Sequence, residues 1–134
     1  MQNETEDAGV VDSSMEKVNL EEKFAAFTEH WRPKIVGELN GQEVKVVKFR
    51  GEFPWHHHEQ EDELFFVWRG RMRVEFRDRI VELTEGEFLV VPHGVEHRTA
   101  ADAEAEVILF EPAATRNTGS AVESAFTAPE GVRI

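Results

Sequence analysis

The stretch Gly51–Gly70, GEFPWHHHEQEDELFFVWRG, places three consecutive histidines before an acidic segment and an apolar run. Side chains two residues apart in an extended strand share a face, so His56 and His58 point the same way and His57 points to the other face. Two of the three histidines can therefore form a pair, and His57 is expected at the outer rim.

A carboxylate follows this pair in a position that predicts burial. If the chain re-enters a sheet at Glu63, that residue shares its face with Phe65 and Val67, which are expected to face a core. A buried ionised carboxylate is costly unless a cation neutralises it. Neutral imidazoles cannot do so, but the pair and Glu63 together could chelate a metal ion. The neighbouring acidic residues Glu59, Glu61 and Asp62 are predicted to be solvated.

A further ligand is predicted where a second turn returns the chain to the sheet. The segment GEFLVVPHGVEHRT, residues 86–99, contains a strand, a Pro-His-Gly turn and then His97. His93 lies in the turn itself and is expected to be exposed. The candidate metal site is therefore His56, His58, Glu63 and His97, a set that suits a divalent transition metal. Glu63 is also the candidate catalytic base.

The chain around these segments alternates short apolar runs with turn signals, which predicts an antiparallel β-barrel or sandwich. Met72, Val74 and Phe76 alternate with charged residues and indicate one buried face. The predicted strands are Lys34–Leu39, Glu43–Phe49, Trp55–His58, Leu64–Trp68, Met72–Phe76, Ile80–Leu83, Phe88–Val91, His97–Ala100 and Glu106–Glu111.

The ends of the chain differ from this β-rich region. Residues 1–17 are predicted to be disordered, and residues 18–134 to form one domain with a barrel core at 34–111 and a tail at 112–134. Asn19 and Glu22 resemble a capping box. The apolar spacing that follows, as far as Trp31, predicts one short amphipathic helix.

The composition excludes several classes of function. A net charge of −12 argues against nucleic acid and anionic membranes as partners. There is no cysteine, so thiol chemistry is excluded and a metal must be held by nitrogen and oxygen. No apolar run approaches a membrane span, and no signal peptide is recognisable, so a cytoplasmic location is expected.

The two motifs together resemble those of the cupin superfamily. The first motif is carried by Gly51, His56, His58, Glu63 and Gly70. The second is carried by Gly86, Pro92, Gly94 and His97, with Ala101 where the family has asparagine. The gap after Gly51 is one residue shorter than in the family pattern, and neither departure touches a candidate ligand. The segments outside the motifs are similar to small single-domain cupins that often carry the label mannose-6-phosphate isomerase-like.

The resemblance implies an all-β fold, a small cupin jelly-roll β-barrel with a short N-terminal helix. It also implies one divalent transition metal ion, which could be Zn, Fe, Mn, Ni or Cu, and a small-molecule ligand. A metal-dependent enzyme of isomerase or dioxygenase type is the first hypothesis. The alternative is a non-catalytic, metal-dependent module that binds a sugar or an organic acid, and a purely structural barrel is a third.

Two further expectations concern the surroundings of the site. Phe53, Trp55, Phe65 and Val67 are expected to line an apolar cavity beside the metal, while no cluster of arginines or lysines is visible for a phosphate clamp. This lowers the case for a phosphosugar isomerase. The second apolar stripe of Leu64–Trp68 needs a cover, and we predict a homodimer.

Overall fold

Seven antiparallel strands and one short helix make up the fold in a computed structural model that describes residues 15–129 and 131–134. The elements are α1 (Leu20–Ala25), β1 (Lys34–Leu39), β2 (Gln42–Glu52), β3 (Glu63–Arg69), β4 (Arg71–Glu75), β5 (Ile80–Thr84), β6 (Phe88–Val91) and β7 (Arg98–Pro112). The predicted all-β class with a short N-terminal helix is confirmed.

The long strand β7 joins the whole sheet. The strand order is β1-β2-β7-β3-β6, and β4 pairs with both β5 and β7. The first part of β7 pairs with β4, whereas its later part pairs with β3. β2 follows β7 along most of its length, with an irregularity between Phe49 and Gly51. Because one strand serves three neighbours, the sheet curls around a single interior.

The interior is filled by alternate residues of the strands. On β3, Phe65 and Val67 are buried, whereas Leu64 and Phe66, which alternate with them, are only partly buried. These inward side chains join Met72 of β4 and Val107 of β7 in one apolar cluster. The period of two predicted from the sequence therefore describes the sheet correctly.

Two strand predictions were wrong. The predicted strands at His97–Ala100 and Glu106–Glu111 are one 15-residue strand, β7, which begins at Arg98. Ala101 and Ala105 stay paired with Gly51 and Phe49 across an irregularity, despite the low β-propensity of alanine. Trp55–His58 is not a strand. It makes one isolated bridge, between His56 and His97, and Pro54 before it has no backbone N–H to donate.

The helix is shorter than predicted. Asn19 caps it by accepting a hydrogen bond from the Glu22 backbone N–H at 2.9 Å, as the capping pattern indicated, but the helix ends at Ala25. The chain then turns, and Trp31 adopts a left-handed φ of 64°. This turn puts Phe27 in an outer cluster with Phe24, while Trp31 enters the barrel interior. A continuous helix would have kept both on one face.

The second apolar stripe is covered in part. Trp68 packs against the cluster formed by Phe24, Phe27 and Val46, so the segment around α1 shields that end. Leu64 and Phe66 remain half-buried and continue into Phe88 and Val90 of β6, which are exposed. The homodimer stays a prediction.

The domain boundaries also stay predictions. The disorder expected for residues 1–17 falls mainly on residues 1–14, which lie outside the described residues. The end of the tail packs beside β1, where Ile35 forms a parallel bridge with Arg133. No helix among the described residues has the length and apolar character needed to cross a bilayer.

Candidate metal centre

The four predicted ligands meet at one end of the barrel interior. His56, His58, Glu63 and His97 each present one ligand atom, and these atoms lie within 4.8 Å of one another. Glu63 Oε1 lies 3.2 Å from His58 Nε2 and 3.9 Å from His97 Nε2. All four residues are at most 4% exposed. The structure thus gathers side chains from two segments that are far apart in the chain.

Backbone hydrogen bonds hold the two segments together. The backbone N–H of His56 donates to His97 O, and that of His97 donates to His56 O, both at 2.9 Å. The Gly94 N–H donates to His58 O at 2.7 Å. Gly94 has a φ of 80°, which glycine adopts without strain. The turn of the second motif therefore fixes both His58 and His97.

Two of the imidazoles have a defined tautomer. Nδ1 of His56 lies 2.9 Å from Pro54 O, and Nδ1 of His97 lies 2.9 Å from Val95 O. A carbonyl oxygen can only accept, so each Nδ1 carries the proton and each Nε2 keeps a lone pair. Such backbone contacts are common behind metal-bound histidines, where they also fix the orientation of the ring.

Burial keeps the imidazoles neutral. Desolvation, followed by the charge of His97, lowers the pKa of His56 to about 3. Desolvation is also the main cause that lowers the pKa of His58 and of His97. Metal ligation requires neutral imidazole. The three rings therefore offer lone pairs at neutral pH without losing a proton first.

The carboxyl group at the site lies next to a second one. Glu63 and Glu111 are neighbours on the inner faces of β3 and β7, since Leu64 and Phe110 beside them are cross-strand partners. Burial raises the pKa of Glu63, and burial followed by the charge of Glu63 raises the pKa of Glu111 well above its usual value. Both carboxyl groups are therefore harder to ionise here than in water.

The cluster contains buried polar atoms that a metal ion would satisfy. His58 Nε2, His97 Nε2 and Glu63 Oε1 are buried and have no hydrogen-bond partner. Buried polar atoms without a partner are rare and need an explanation. With metal–ligand bonds of about 2.1 Å, neighbouring ligand atoms are roughly 3.0–3.4 Å apart, which agrees with the shorter observed distance. The cluster could hold a divalent metal ion.

The other histidines of the motifs face away, as predicted. His57 is about one-third exposed; its Nε2–H donates to Glu59 at 2.9 Å, and its Nδ1 accepts from Ser120 Oγ at 2.9 Å. His93 is exposed and donates to the Asp62 carboxylate at 2.8 Å from its ring and at 2.8 Å from its backbone. Asp62 is thus solvated but also supports the second turn.

The expected cavity lining was only half right. A small cavity of about 20 Å³ lies against His56 and Glu63, and Phe53 and Phe65 line it. Trp55 stacks outside the barrel, with its ring 3.8 Å from the Arg77 guanidinium, because it alternates with the inward His56. Val67 lies deeper, in the apolar cluster.

The tail closes this cavity, which the sequence did not indicate. Asn117 and Trp31 complete the lining. Ser120 N–H donates to His57 O at 2.8 Å, and a Cβ on Gly119 would lie 2.9 Å from Cδ2 of His56. A glycine in a left-handed conformation, with a φ of 52°, is thus required for the tail to lie this close to the site.

The sequence-based prediction also did not include three charged residues that are buried next to the candidate metal site. Glu43, Lys45 and Glu111 are buried inside the barrel, at 5%, 6% and 1% exposure. A signal was available, since Glu43 and Lys45 share the face of Val47 in β2. Alternation places charges on an inward face there, as it does at Glu63.

Comparison with known proteins identifies the fold. A cupin-2 domain containing protein from Shewanella frigidimarina NCIMB 400 superposes with a TM-score of 0.70 at 41% identity, over 71% of this chain and 93% of that chain. Protein NMB1881 from Neisseria meningitidis superposes with a TM-score of 0.67 at 34% identity, over 73% of this chain and 100% of that one.

The sequence comparisons agree. The uncharacterized protein YdbB of Bacillus subtilis (strain 168) is 36% identical over 81 residues, which cover 60% of this chain and 66% of the relative, slightly less than two thirds. Residues 43–111, just over half of the chain, match the Cupin domain family and include all four clustered residues. The chain belongs to the cupin family.

Proposed function

We propose that the protein is a metal-dependent enzyme that acts on a small organic molecule. One divalent transition metal would be held by His56, His58, Glu63 and His97. The observation that carries the proposal is the convergence of three partnerless buried atoms, His58 Nε2, His97 Nε2 and Glu63 Oε1, on one point. A cation at that point would satisfy all three.

The side chains at such a site would have different roles. A divalent metal supplies Lewis-acid chemistry there, or redox chemistry if it is iron. His56 and His97 present fixed Nε2 lone pairs, because backbone carbonyls anchor both rings, and His58 supplies the third imidazole. Glu63 either remains a ligand or takes a proton from the substrate as general base. Trp31, Phe53 and Phe65 keep water from the site.

The surroundings favour a substrate without a phosphate group. Arg98 follows His97 but points away from it and pairs with Glu75 at 2.8 Å. Arg73 pairs with Glu75 at 2.7 Å, and Arg77 lies over Trp55 outside the barrel. These arginines are engaged away from the cavity. The predicted disadvantage of phosphosugars is therefore supported by the positions of the arginines.

Elemental analysis of protein purified without chelator or affinity tag is the first test. Stoichiometric metal is expected. Iron would favour dioxygenase chemistry, and zinc or manganese would favour isomerase chemistry, while nickel or copper would leave both hypotheses standing. Protein that holds less than a tenth of an equivalent of any of these metals, and takes none up on addition, would contradict the proposal.

A pair of neighbouring histidines provides the matched test of the site. His58→Ala removes an inward ligand and is expected to abolish metal binding, whereas His57→Ala changes an outward ring and should retain the metal. Equal metal content in both variants would reject the assignment of these ligands. Turnover is then measured with sugars, diketones and flavonols.

The binding-module hypothesis is one outcome of the same assay. Stoichiometric metal, loss of metal in His58→Ala and saturable ligand binding without turnover would support a non-catalytic receptor. Turnover that disappears together with the metal would support the enzyme. The cavity of about 20 Å³ holds no more than about one water, so a larger ligand requires the site to open.

A further inference from the structure

A buried charged layer lies directly below the candidate metal centre. It consists of Glu43 and Lys45 on β2 and Glu111 on β7, all of which lie inside the barrel at no more than 6% exposure. Glu43 and Glu111 are cross-strand partners. Burying charged groups is costly, and apolar side chains of similar size would often serve stability as well or better. The layer therefore calls for a reason other than packing.

The contacts of this layer lead to one ligand. Lys45 Nζ donates to Glu111 Oε2 at 3.0 Å. The Glu111 side chain in turn lies beside that of Glu63, because their neighbours Leu64 and Phe110 are cross-strand partners and both carboxyl groups face the interior. Lys45, Glu111 and Glu63 thus form a chain of contacts that ends 3.2 Å from His58 Nε2, at Glu63 Oε1. Glu43 Oε1 lies 3.5 Å from Lys45 Nζ, and among the described residues no hydrogen bond or ion pair joins Glu43 to Glu63.

These contacts restrict the orientation of the Glu63 carboxylate. The Glu63 side chain can rotate, and the neighbouring Glu111 carboxyl restricts which of its oxygens faces the imidazoles. Lys45 in turn restricts Glu111. Groups that hold a metal ligand from behind in this way typically contribute 10–100-fold to metal affinity.

We propose that Lys45 and Glu111 are positioning residues that orient the Glu63 carboxylate toward His56, His58 and His97 and thereby set the metal affinity of the site. The inference rests on the proposed metal site and adds two residues outside both sequence motifs. Its ordinary alternative is a structural ion pair that holds β2 and β7 together and has no effect on the metal.

The variants separate the two explanations. Glu111→Leu removes both links of the chain. Glu111→Gln can still donate to Glu63 and accept from Lys45, so it serves as the conservative rescue. Glu43→Gln is the matched control, since it alters a carboxyl that is equally buried in the same layer and does not touch Glu63. Lys45→Met removes only the contact between Lys45 and Glu111, which is the one farther from Glu63.

The experiment measures zinc affinity by competition with a chromophoric chelator on the full chain. We expect Glu111→Leu to lose about 10–100-fold in affinity. Lys45→Met should lose less, and Glu111→Gln and Glu43→Gln should bind as the wild type does. Cobalt is a second readout, because its visible spectrum reports the ligand geometry. The spectrum should change in Glu111→Leu and not in Glu43→Gln.

Two results would overturn the inference. One is a folded Glu111→Leu variant with the zinc affinity and cobalt spectrum of the wild type. The other is a loss in Glu43→Gln as large as that in Glu111→Leu, because the whole layer would then act as a structural unit. If Glu111→Leu does not fold, wild-type affinity and cobalt spectrum in Lys45→Met would also reject it.

Failure of this inference is distinct from failure of the proposed function. Wild-type zinc binding that His58→Ala abolishes, together with unchanged binding in Glu111→Leu, would remove the positioning role and leave the metal site standing. A wild-type protein that binds neither zinc nor cobalt would overturn both.

Discussion

The inner faces of β2, β3 and β7 have an apolar half and a charged half. The apolar half contains Val47, Phe49, Phe65, Val67, Val107 and Leu109, and the charged half contains Glu43, Lys45, Glu63 and Glu111. Both are buried to the same extent, since Val67 is 0% exposed and Glu111 is 1% exposed. Burial alone therefore does not distinguish a packing core from a site.

The two halves differ in what burial requires of them. Apolar side chains gain from leaving water wherever they pack densely. A buried carboxyl or imidazole gains only where a partner replaces water, and Glu63 Oε1 and two imidazole nitrogens have none. The charged half thus costs stability, which is consistent with the proposed metal site, while the apolar half supplies the stability.

The largest effect on stability is expected in the apolar cluster of the interior, which contains the apolar half and also Met72 of β4. Met72 is 1% exposed inside this cluster, and Met72→Ala should lower the free energy of unfolding by about 2–5 kcal/mol because it leaves a cavity. Urea unfolding of metal-free protein measures this. Zinc stoichiometry of the folded variant should remain that of the wild type. A parallel loss of zinc would show that the two halves are not separable.

The next effect concerns the metal itself. Zinc at about 100 times its dissociation constant should raise the free energy of unfolding of the wild type by about 2.7 kcal/mol. His97→Ala should abolish this gain, because His97 presents a buried Nε2 to the site. His93→Ala is the control from the same turn and should keep the gain, since His93 is exposed. A gain that survives in His97→Ala would contradict the assignment.

A third prediction removes the charged layer altogether. The combined variant Glu43→Leu, Lys45→Met and Glu111→Leu should unfold at equal or higher urea concentration than metal-free wild type, with a gain of up to about 1–4 kcal/mol. Its zinc affinity should fall. Strong destabilisation of a folded variant would mean that the layer is part of the structural core.

The smallest effect is expected at the tail. Gly119→Ala places a Cβ against the backbone oxygen of His57 and 2.9 Å from Cδ2 of His56, so the tail has to shift locally; the left-handed backbone conformation costs about 1–2 kcal/mol in addition. We expect residues near Ser120 to exchange their amide hydrogens faster, with β7 unchanged. Unaltered exchange in the tail would contradict the close packing of the tail on His56. Gly131→Ala is a control, because a Cβ there meets nothing within 4 Å.

Much of the site could be read from the sequence because its ligands obey local rules. The inward direction of His56, His58 and Glu63 follows from alternation, and His97 follows from the turn before it. The helix was overextended because apolar spacing does not reveal that Phe27 and Trp31 pack in different clusters. The break predicted within β7 coincides with an irregularity in its pairing with β2, where Ala101 and Ala105 pair with Gly51 and Phe49 and keep the strand continuous.

The sequence by itself determined the cupin fold and the four clustered residues, because periodicity, turns and motif spacing act over a few residues. Only the tertiary structure decided which other residues contact these four. Lys45 and Glu111 are 66 positions apart, and Gly119 reaches His56 from the tail. Such contacts depend on strand order and on how the tail returns to the barrel, which no local pattern specifies.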